Sequence, residues 1–341
     1  MTSTGKRIVG SASVALLAVA GAAAFHAKHG GKAPAPTLTR TLYAFPETDS
    51  SATPLYGLVN GAKKTIDMTM YELADTTFSG DLVAACQRGV KVRVILDQKE
   101  KTSNTAAYNQ LNAAASCSAA WSNPAFSYTH EKSLVVDDTV VVIMSLNLTS
   151  RYYQTTRDFA LVENDPADVS AVEATFNADF QSTTSFSYKP GAGDDLIWSP
   201  TTATPDLLGI INGAKKTLLV ENEEMVATNI VSALEAACKR GVAVNITLTD
   251  STSDEPNYKA LEAAGCGVHT YPNTPTGLYI HAKVMVADYG LSTQKIYMGS
   301  INFSSTSMTL NRELGLYVTD STAAGLLQKT LAADYAGAAA F

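Results

Sequence analysis

Cysteine and histidine are both scarce in this chain, and their spacing limits the chemistry they can support. The 341 residues include four cysteines and five histidines, and no Cys-x-x-Cys pair occurs. Such pairs are the usual basis of a structural zinc site, so we expect none here. His26 and His29 lie close together, but they have no cysteine or acidic neighbour and are interpreted as part of a polar tail. The sequence therefore predicts neither a metal nor a cofactor.

Long apolar runs are absent except near the N-terminus. Lys6 and Arg7 precede an apolar run over residues 8–24, which ends in an Ala-x-Ala-like cleavage site. This order of features predicts a secretory signal peptide over 1–24 and a secreted or periplasmic protein, with an uncleaved anchor as the alternative. Residues 25–40 are rich in Gly, Ala and Pro and are expected to form a flexible linker.

Positive charge is also in short supply. The chain has 25 Lys and Arg against 32 Asp and Glu, which gives a formal net charge of −7. Cleavage of the predicted signal peptide would remove Lys6 and Arg7 and no acid, so the charge would change from −7 to −9. Nucleic-acid-binding proteins neutralise phosphates with Lys and Arg. An acidic chain therefore argues against a large polynucleotide footprint.

The chain contains an internal repeat. Val59-Asn-Gly-Ala-Lys-Lys-Thr65 recurs as Ile211-Asn-Gly-Ala-Lys-Lys-Thr217, at an offset of 152 residues. Strand and helix patterns alternate in each copy, which predicts mixed β-sheets with helices on their faces. The predicted boundaries are 41–190 for repeat 1, 191–205 for the inter-repeat linker and 206–341 for repeat 2.

The four cysteines follow the same repeat. Cys86 and Cys238 lie late in matching predicted helices, and Cys117 and Cys266 follow a further pair of matching helices, at the start of the strands that come next. Four cysteines in a secreted chain can pair in three ways. The duplication favours Cys86–Cys117 and Cys238–Cys266, one disulfide in each repeat, and four free thiols are the alternative.

One motif occurs once in each repeat: His, one residue, Lys, four residues, Asp. The two copies are His130-Glu-Lys132 with Asp137, and His281-Ala-Lys283 with Asp288. Each copy lies in an alternating apolar run that predicts a β-strand, on which residues two apart share a face. We therefore expect the His and Lys of each copy to point toward one reacting group.

This duplicated motif resembles the hallmark of the phospholipase D superfamily, in which it is followed by Gly-Ser-x-Asn. Copy two continues with Gly299-Ser300-Ile-Asn302 and copy one with Met144-Ser145-Leu-Asn147. The resemblance spans residues 41–336. It implies an α/β fold of two mixed β-sheets flanked by helices, with pseudo-twofold symmetry and one active site between the repeats. Met144 replaces the family's glycine, and we expect it to tune the substrate, either by narrowing the pocket or by shifting the Lys132 side.

The residues suit the cleavage of a phosphodiester without a metal. One neutral imidazole can attack phosphorus and form a phosphohistidine, while the other, protonated, protonates the leaving group. The resemblance assigns the attack to His130 and the protonation to His281. The residues expected to bind the phosphate oxygens are Lys132, Lys283, Ser145, Ser300, Asn147 and Asn302.

Each imidazole needs a carboxylate to orient it. In the resembled family this acid follows the Ser-x-Asn segment and reaches the His of the opposite repeat. That pattern assigns Glu313 to His130 and Asp158 to His281, although Asp158 is one methylene shorter than the usual Glu.

Four further acidic residues occupy matching positions in the two repeats. The resemblance gives Asp137 and Asp288 a structural role. Glu72 and Glu224 align near the ends of matching strands. They are expected either to face the cleft and select headgroups or to be exposed to solvent.

The sequence favours a secreted phospholipase D-like phosphodiesterase that hydrolyses or transphosphatidylates phospholipid headgroups at a membrane surface. We expect a monomer with no obligate protein partner. The first alternative is a secreted non-specific endonuclease of the same superfamily, for which nucleic acid would be the substrate. A non-catalytic binding protein and a cardiolipin-synthase-like transferase are further alternatives. Segments 120–126 and 271–279 are candidates for an apolar rim, or for ordinary packed loops.

Overall fold

The computed structural model describes residues 37–46 and 52–341 of the protein. The predicted signal peptide over 1–24, most of the predicted linker over 25–40, and both His26 and His29 lie outside the described residues. Within the described part, sixteen strands form two eight-stranded sheets, and nine α-helices flank them.

In the described residues, repeat 1 supplies seven strands and four α-helices. Its strands are β1 (Arg40–Phe45), β2 (Thr65–Met70), β3 (Lys91–Leu96), β4 (Cys117–Trp121), β5 (Ser133–Val136), β6 (Val140–Met144) and β7 (Thr156–Glu163). Its helices are α1 (Thr53–Gly61), α2 (Thr76–Gln87), α3 (Lys101–Asn112) and α4 (Pro166–Phe180), with a 3-10 turn at Ser150–Tyr152.

Repeat 2 and the segment before it follow the same order. The strands are β8 (Leu196–Ser199), β9 (Thr217–Glu221), β10 (Ala243–Thr249), β11 (Gly267–Tyr271), β12 (Tyr279–Ile280), β13 (Val284–Ala287), β14 (Lys295–Gly299), β15 (Glu313–Tyr317) and β16 (Ala339–Ala340). The helices are α5 (Ala203–Gly213), α6 (Thr228–Lys239), α7 (Glu255–Ala263), α8 (Ser305–Thr309) and α9 (Ser321–Gly337).

Both sheets are mixed, as the sequence predicts. The first has the order β1-β7-β6-β5-β2-β3-β4, with β12 paired to β7, and the second has the order β16-β11-β10-β9-β13-β14-β15-β8. Strands β2, β3 and β4 run parallel, as do β9, β10 and β11. The other neighbours in each path are antiparallel. The expected α/β duplication is therefore confirmed.

Side-chain caps and glycines set the ends of matching helices. Asp75 begins α2, because its side chain accepts hydrogen bonds from the backbone N–H groups of Thr77 and Phe78. The residues two beyond α2 and α6 are Gly89 and Gly241, with φ angles of 92° and 85°. A positive φ is readily adopted only by glycine, so both helices end there and the chain turns into the next parallel strand.

Three hydrophobic cores hold the layers together. One lies between the first sheet and α1, α2 and α3, and a second lies between the second sheet and α5, α6 and α7. The third contains residues from both repeats, such as Val135, Val284 and Trp198, together with apolar residues of α4 and α9. Central strands are thus buried on both faces, which explains their continuous apolar runs. The third core joins the two repeats.

The range predicted as an inter-repeat linker, 191–205, is partly structured. Leu196–Ser199 forms β8 and pairs with β15 at the edge of the second sheet, and α5 begins at Ala203. The buried apolar run Leu196-Ile-Trp198 is short and is flanked by Ser, Thr, Gly and Pro residues that are typical of a linker. Burial of those side chains favours a strand, so this range contributes to the second sheet as well as connecting the repeats.

Met144 lies in the core of repeat 1 and does not line the cavity described below. In repeat 2, a Cβ on Gly299 would clash with Gly315 Cα and lie 2.9 Å from the Tyr297 hydroxyl oxygen, so the neighbouring strand and the Tyr297 ring together fill the corresponding space. The residue that matches Tyr297 in repeat 1 is the smaller Val142. Met144 and Val142 in repeat 1 therefore fill the same volume that Gly299 and Tyr297 fill in repeat 2. The expectation that Met144 narrows the pocket is wrong.

The structure contains both disulfides that the duplication favours. Cys86 is bonded to Cys117 and Cys238 to Cys266, and no free cysteine occurs in the described residues. Each disulfide ties the end of a helix, α2 or α6, to the beginning of the strand three elements later, β4 or β11. Across the part of the chain described here, none of the helices has the length and apolar character needed to cross a membrane.

Candidate active site

The two repeats exchange backbone hydrogen bonds where their motifs begin. Tyr279–Ile280 of repeat 2 forms β12 and pairs in parallel with Thr156–Arg157 of β7 in repeat 1. In the matching place, Thr129 forms a parallel bridge with Arg312. The backbone N–H of His130 donates to the carbonyl oxygen of Arg312 at 2.9 Å. Each motif histidine is thereby held beside the strand that carries the acid of the other repeat.

The motif residues do not lie on a regular strand, contrary to the prediction. Strands β5 and β13 begin only after Lys132 and Lys283. The backbone N–H groups of His130, Glu131 and His281 bind to the opposite repeat instead, whereas the carbonyl oxygens of Lys132 and Lys283 still accept hydrogen bonds from their own sheet. The partner of each motif histidine's backbone is therefore in the other repeat.

Each histidine meets a carboxylate from the opposite repeat. His130 Nδ1 lies 2.8 Å from Glu313 Oε2, and His281 Nδ1 lies 2.8 Å from Asp158 Oδ1. All four side chains are buried. The shorter Asp158 reaches its histidine, where the β12–β7 pairing brings the two repeats together. The arrangement holds each ring in the tautomer whose Nε2 is available for chemistry.

The other contacts of the two acids keep them in place. Asp158 Oδ1 also accepts a hydrogen bond from the Ser145 hydroxyl at 2.6 Å. Glu313 Oε1 accepts from Asn311 Nδ2 at 3.0 Å and from the Ser307 hydroxyl. Burial alone would raise the pKa of Glu313, but His130 and Lys132 hold it below its usual range. Glu313 is therefore ionised beside His130.

The two motif lysines are fully buried and lie behind the residues that line the cavity. Lys132 Nζ donates to the carbonyl oxygen of His130 at 2.7 Å, and Lys283 Nζ makes the matching bond to His281. Lys283 Nζ also lies 2.9 Å from Glu223 Oε2. Burial lowers the pKa of Lys132 to about 7, although Glu313 opposes the shift. Its charge near neutral pH therefore depends on what binds nearby.

His130 is held in its neutral form. Burial lowers its pKa to about 4, and Lys132 acts in the same direction, while Glu313 opposes the shift. A neutral imidazole with a free Nε2 is the nucleophilic form of histidine. At neutral pH, His130 therefore has the protonation state that attack on phosphorus requires.

The Ser-x-Asn segments contribute differently from what the sequence suggested. Asn147 and Asn302 line the cavity, as expected of groups that bind phosphate oxygens. Ser145 and Ser300 do not line it. Ser145 holds Asp158, and Ser300 accepts from the backbone N–H of Leu314 at 3.2 Å. The two serines therefore support the site from behind, and we do not assign them to phosphate binding.

Asp137 and Asp288 shape turns outside the cavity. Asp137 accepts hydrogen bonds from the backbone N–H groups of Lys63, Lys64 and Thr65, at distances of 2.6 to 3.1 Å. Asp288 binds the matching N–H groups of repeat 2. The φ angles of the two residues are 54° and 52°, a region that Asp tolerates better than most residues. These contacts fit the structural role that was expected.

The two motif histidines open onto one cavity of about 1150 Å³. Its lining combines tyrosines with carboxylates. The tyrosines are Tyr71, Tyr128, Tyr152 and Tyr279, and the carboxylates besides Asp158 are Glu72, Glu100, Glu223 and Glu224. Arg151 is the only Lys or Arg among the residues that line this cavity. Glu72 and Glu224 thus both face the cleft, as one of the two expectations had it.

Of the two candidate rim segments, 271–279 contributes to the cavity lining and 120–126 does not. Residues 273–275, Gly277 and Tyr279 line the cavity. In the other segment, the ring of Trp121 stacks on Tyr108 at 4.3 Å between centroids, and Phe126 is buried against Arg312. That segment is a packed loop. The exposed aromatic side chains in the cavity lining are Tyr128 and Tyr152.

Sequence reasoning missed Glu223, which lies at the centre of the site. It is the residue next to Glu224, and it matches Tyr71 of repeat 1 at the offset of 152. Its carboxylate contacts Lys283 and Asn302 and receives the hydroxyl of Tyr279 at 3.0 Å. The available signal was the replacement of Tyr by Glu at one position of an otherwise well-matched repeat.

Comparison with known proteins agrees with the site geometry. The family model described as "Cardiolipin synthase, PLD-like domain" matches two segments, residues 55–180 and 207–335. Together they span well over half of the chain, one segment in each repeat. The chain belongs to the phospholipase D superfamily. The pairing of two motif copies at one cavity is therefore a phospholipase D-like arrangement.

Two relatives in this superfamily act on or make cardiolipin. The chain is 30% identical over 131 residues to mitochondrial cardiolipin hydrolase of Xenopus tropicalis, which covers 38% of this chain and 61% of that protein. It is also 29% identical over 133 residues to the major cardiolipin synthase ClsA of Bacillus subtilis. The matched region covers 37% of this chain and 26% of that protein. The chain thus spans less than two thirds of the length of either relative.

Solved structures show the same fold over most of the chain. Phosphatidylserine synthase from Haemophilus influenzae superposes with a TM-score of 0.66 at 12% identity, over 87% of this chain and 85% of that one. Polyphosphate kinase from Porphyromonas gingivalis gives a TM-score of 0.63 at 15% identity, over 87% of this chain and 50% of that one. These similarities establish the duplicated phospholipase D-like fold.

Proposed function

We propose that the protein is a phospholipase D-type phosphodiesterase that hydrolyses the headgroup diester of a phospholipid. The observation that carries this proposal is the pair of buried histidines, each bonded at 2.8 Å to an acid of the other repeat, at one cavity. Two imidazoles with fixed Nδ1 partners supply a nucleophile and a proton donor for one phosphate. The two lysines and two asparagines supply the positive and polar groups around it.

In the proposed first step, His130 Nε2 attacks phosphorus and the bond from phosphorus to the headgroup oxygen breaks. Protonated His281 gives its Nε2 proton to the departing oxygen, so the headgroup leaves as a neutral alcohol. The neutral state of His130 supports this assignment. Asp158 stabilises the imidazolium form of His281 before the transfer.

In the second step, neutral His281 takes a proton from water, and the water oxygen attacks phosphorus. The N–P bond of the phosphohistidine breaks, and His130 returns to its neutral form. A second alcohol in place of water would give transphosphatidylation by the same route. No step in this scheme uses a metal ion, and we propose that the reaction proceeds in the presence of a chelator.

The cavity wall favours a phospholipid over nucleic acid. Four glutamates line it beyond the two histidine–acid pairs, against the single cation Arg151. A polynucleotide would place several phosphates near these carboxylates, whereas a phospholipid places one there. The exposed rings of Tyr128 and Tyr152 lie in the same wall and suit a lipid surface. The endonuclease remains the alternative that the assay must test.

We also propose that the protein acts outside the cytoplasm. This proposal rests on the predicted signal peptide, and the two disulfides are typical of proteins that fold in oxidising compartments. Fractionation of cells that express the full-length chain would test it. Cytoplasmic protein with its N-terminus intact and its cysteines reduced would contradict the proposal.

The test of the proposed reaction compares two substrates with EDTA present throughout. Choline release from phosphatidylcholine and release of phosphatidic acid and phosphatidylglycerol from cardiolipin-containing vesicles are measured beside nicking of plasmid DNA. We expect headgroup release by the wild type and none by His130→Ala. The matched control is His269→Gln, because His269 lies outside the cavity lining.

Each outcome of that test has a distinct meaning. Nicking without headgroup release would replace the lipid assignment with the nuclease. Headgroup release that survives His130→Ala would overturn the assignment of the nucleophile. Activity that EDTA abolishes and an added divalent cation restores would overturn the metal-independent scheme.

A further inference from the structure

The carboxylate of Glu223 occupies the place where repeat 2 would bind a phosphate oxygen. Its Oε2 lies 2.9 Å from Lys283 Nζ, 3.1 Å from Asn302 Nδ2 and 3.5 Å from His281 Nε2. These three groups are the ones that the proposed mechanism directs at the substrate from repeat 2. One oxygen of the protein itself therefore contacts all of them.

Among the described residues of repeat 1, no carboxylate occupies the position that matches Glu223. The residue that matches Glu223 there is Tyr71, whose ring centroid lies 4.5 Å from that of His130 and 5.0 Å from Lys132 Nζ. Within the described part of the chain, the contacts of Lys132 Nζ are the carbonyl oxygen of His130 and the ring of Tyr71, and it forms no salt bridge. At this matched position, the two halves of the site therefore differ by one full negative charge.

Glu223 is ionised and is placed to move. Burial would raise its pKa, but Lys283 and His281 hold that pKa well below its usual range. Its side chain keeps 21% of its surface exposed toward the cavity, and its second oxygen accepts the Tyr279 hydroxyl at 3.0 Å. A substrate oxygen can therefore take the three contacts of Oε2 while the carboxylate stays in the cavity, held by Tyr279.

We propose that Glu223 is a specificity-determining residue that makes the site favour a phosphodiester monoanion over a phosphomonoester dianion. This inference rests on the proposed function, because it concerns which phosphate that site accepts. Repulsion between charges grows with the charge on the ligand. A carboxylate beside the phosphate therefore disfavours a dianion more than a monoanion, and it partly cancels the charge of Lys283.

This selectivity has a consequence for turnover. Hydrolysis of a diester produces a monoester, whose second ionisation has a pKa of about 6. Near neutral pH the product carries more negative charge than the substrate did. Glu223 therefore weakens the binding of the product relative to the substrate, which favours product release.

The test measures binding, so that it does not depend on turnover. Isothermal titration at about pH 7.5, where inorganic phosphate is mostly a dianion, compares inorganic phosphate with dimethyl phosphate, a diester monoanion. We expect wild-type protein to bind dimethyl phosphate more tightly than inorganic phosphate. In Glu223→Gln, the affinity for inorganic phosphate relative to dimethyl phosphate should rise at least tenfold.

Two further variants make the result specific. Glu72→Gln removes one negative charge from the part of the cavity wall that repeat 1 supplies. The Glu72 carboxylate accepts a hydrogen bond from Ser103 and does not contact a motif residue. The variant should leave the affinity ratio within twofold of the wild type. Glu223→Tyr copies the residue of repeat 1 and should shift the ratio in the same direction as Glu223→Gln.

An unchanged ratio in both Glu223 variants, with melting temperatures near that of the wild type, would overturn the proposal. A wild-type preference for inorganic phosphate would also overturn it, even if the variants failed to fold. Failure of the proposed function gives a different result: no diester would be hydrolysed, although the affinity ratio still shifts. If diesters are hydrolysed and the ratio does not shift, only the inference about Glu223 is wrong.

Discussion

The asymmetric roles of the two histidines lead to a test based on the leaving group. Asp158 orients His281, which we propose to be the proton donor, and Glu313 orients the nucleophile His130. Asp158→Asn keeps the size of the side chain but removes the charge beside His281 Nδ1. A hydrogen bond to a charged group contributes about 1.5–3 kcal/mol. Loss of that amount in the transition state corresponds to about a 10- to 150-fold lower kcat.

The size of the effect should depend on the alcohol that departs. A choline or glycerol alkoxide is a strong base and needs the proton from His281, whereas p-nitrophenolate leaves without one. We therefore expect Asp158→Asn to lower the rate of headgroup release by the full factor. The same variant should lower hydrolysis of bis(p-nitrophenyl) phosphate by only a few-fold.

Glu313→Gln is the matched control, because it removes the same interaction from the other histidine. It should slow both substrates by similar factors, since attack by His130 is needed for each. Pre-steady-state release of p-nitrophenol separates the first step from the hydrolysis of the intermediate. The reverse pattern would exchange the roles of the histidines, and equal effects of both variants on both substrates would refute the reasoning.

Three other predictions follow from the buried groups. First, kcat/KM for a soluble diester should fall as pH rises through about 7, because Lys132 loses its proton there and only its protonated form attracts phosphate. In Lys132→Arg this fall in kcat/KM should occur at higher pH. If its pH does not change, the fall is caused by the titration of another group. Second, replacing the cysteines of either disulfide by alanine should lower the free energy of unfolding by about 3–4 kcal/mol, measured by urea denaturation, and a loss below about 1 kcal/mol would contradict the entropic argument. Third, Met144→Gly should cost about 3–5 kcal/mol by opening a core cavity; adding Val142→Tyr and Ala160→Gly, which copies repeat 2, should recover part of that loss in thermal melts, and no recovery would refute the volume exchange.

The cross-repeat pairs show what a repeated sequence can predict. Matching motifs and a family resemblance placed Glu313 with His130 and Asp158 with His281, and the structure has both contacts at 2.8 Å. The disulfide pairing also followed from the repeat. The fold class followed from alternating strand and helix patterns, because buried strands and amphipathic helices have different periods. The catalytic roles of the two histidines and their acids stay predictions until the variants are assayed.

The errors arose where tertiary contacts outweigh local pattern. The whole motif run was expected on a strand, but the backbone N–H groups of its histidines bind to Arg312 and Arg157 of the opposite repeats, a contact that no local pattern encodes. Met144 was interpreted as a pocket residue, because the compensation by Val142 requires knowledge of which side chains share a space. Glu223 was missed for the opposite reason. Candidate residues were chosen where the two repeats match, whereas Glu223 matters because it differs from Tyr71, the residue at its matching position.

The fusion of two repeats in one chain gives this site a freedom that a symmetric assembly lacks. If one gene product supplied both halves as an identical pair, every substitution would appear on both sides of the phosphate. A glutamate at the position of Tyr71 would then accompany the one at Glu223, and two internal anions would crowd a single substrate. Covalent linkage lets one half keep an aromatic wall against its nucleophile while the other half acquires a charge. Duplication here preserves the chemistry and releases the specificity to evolve on one side alone.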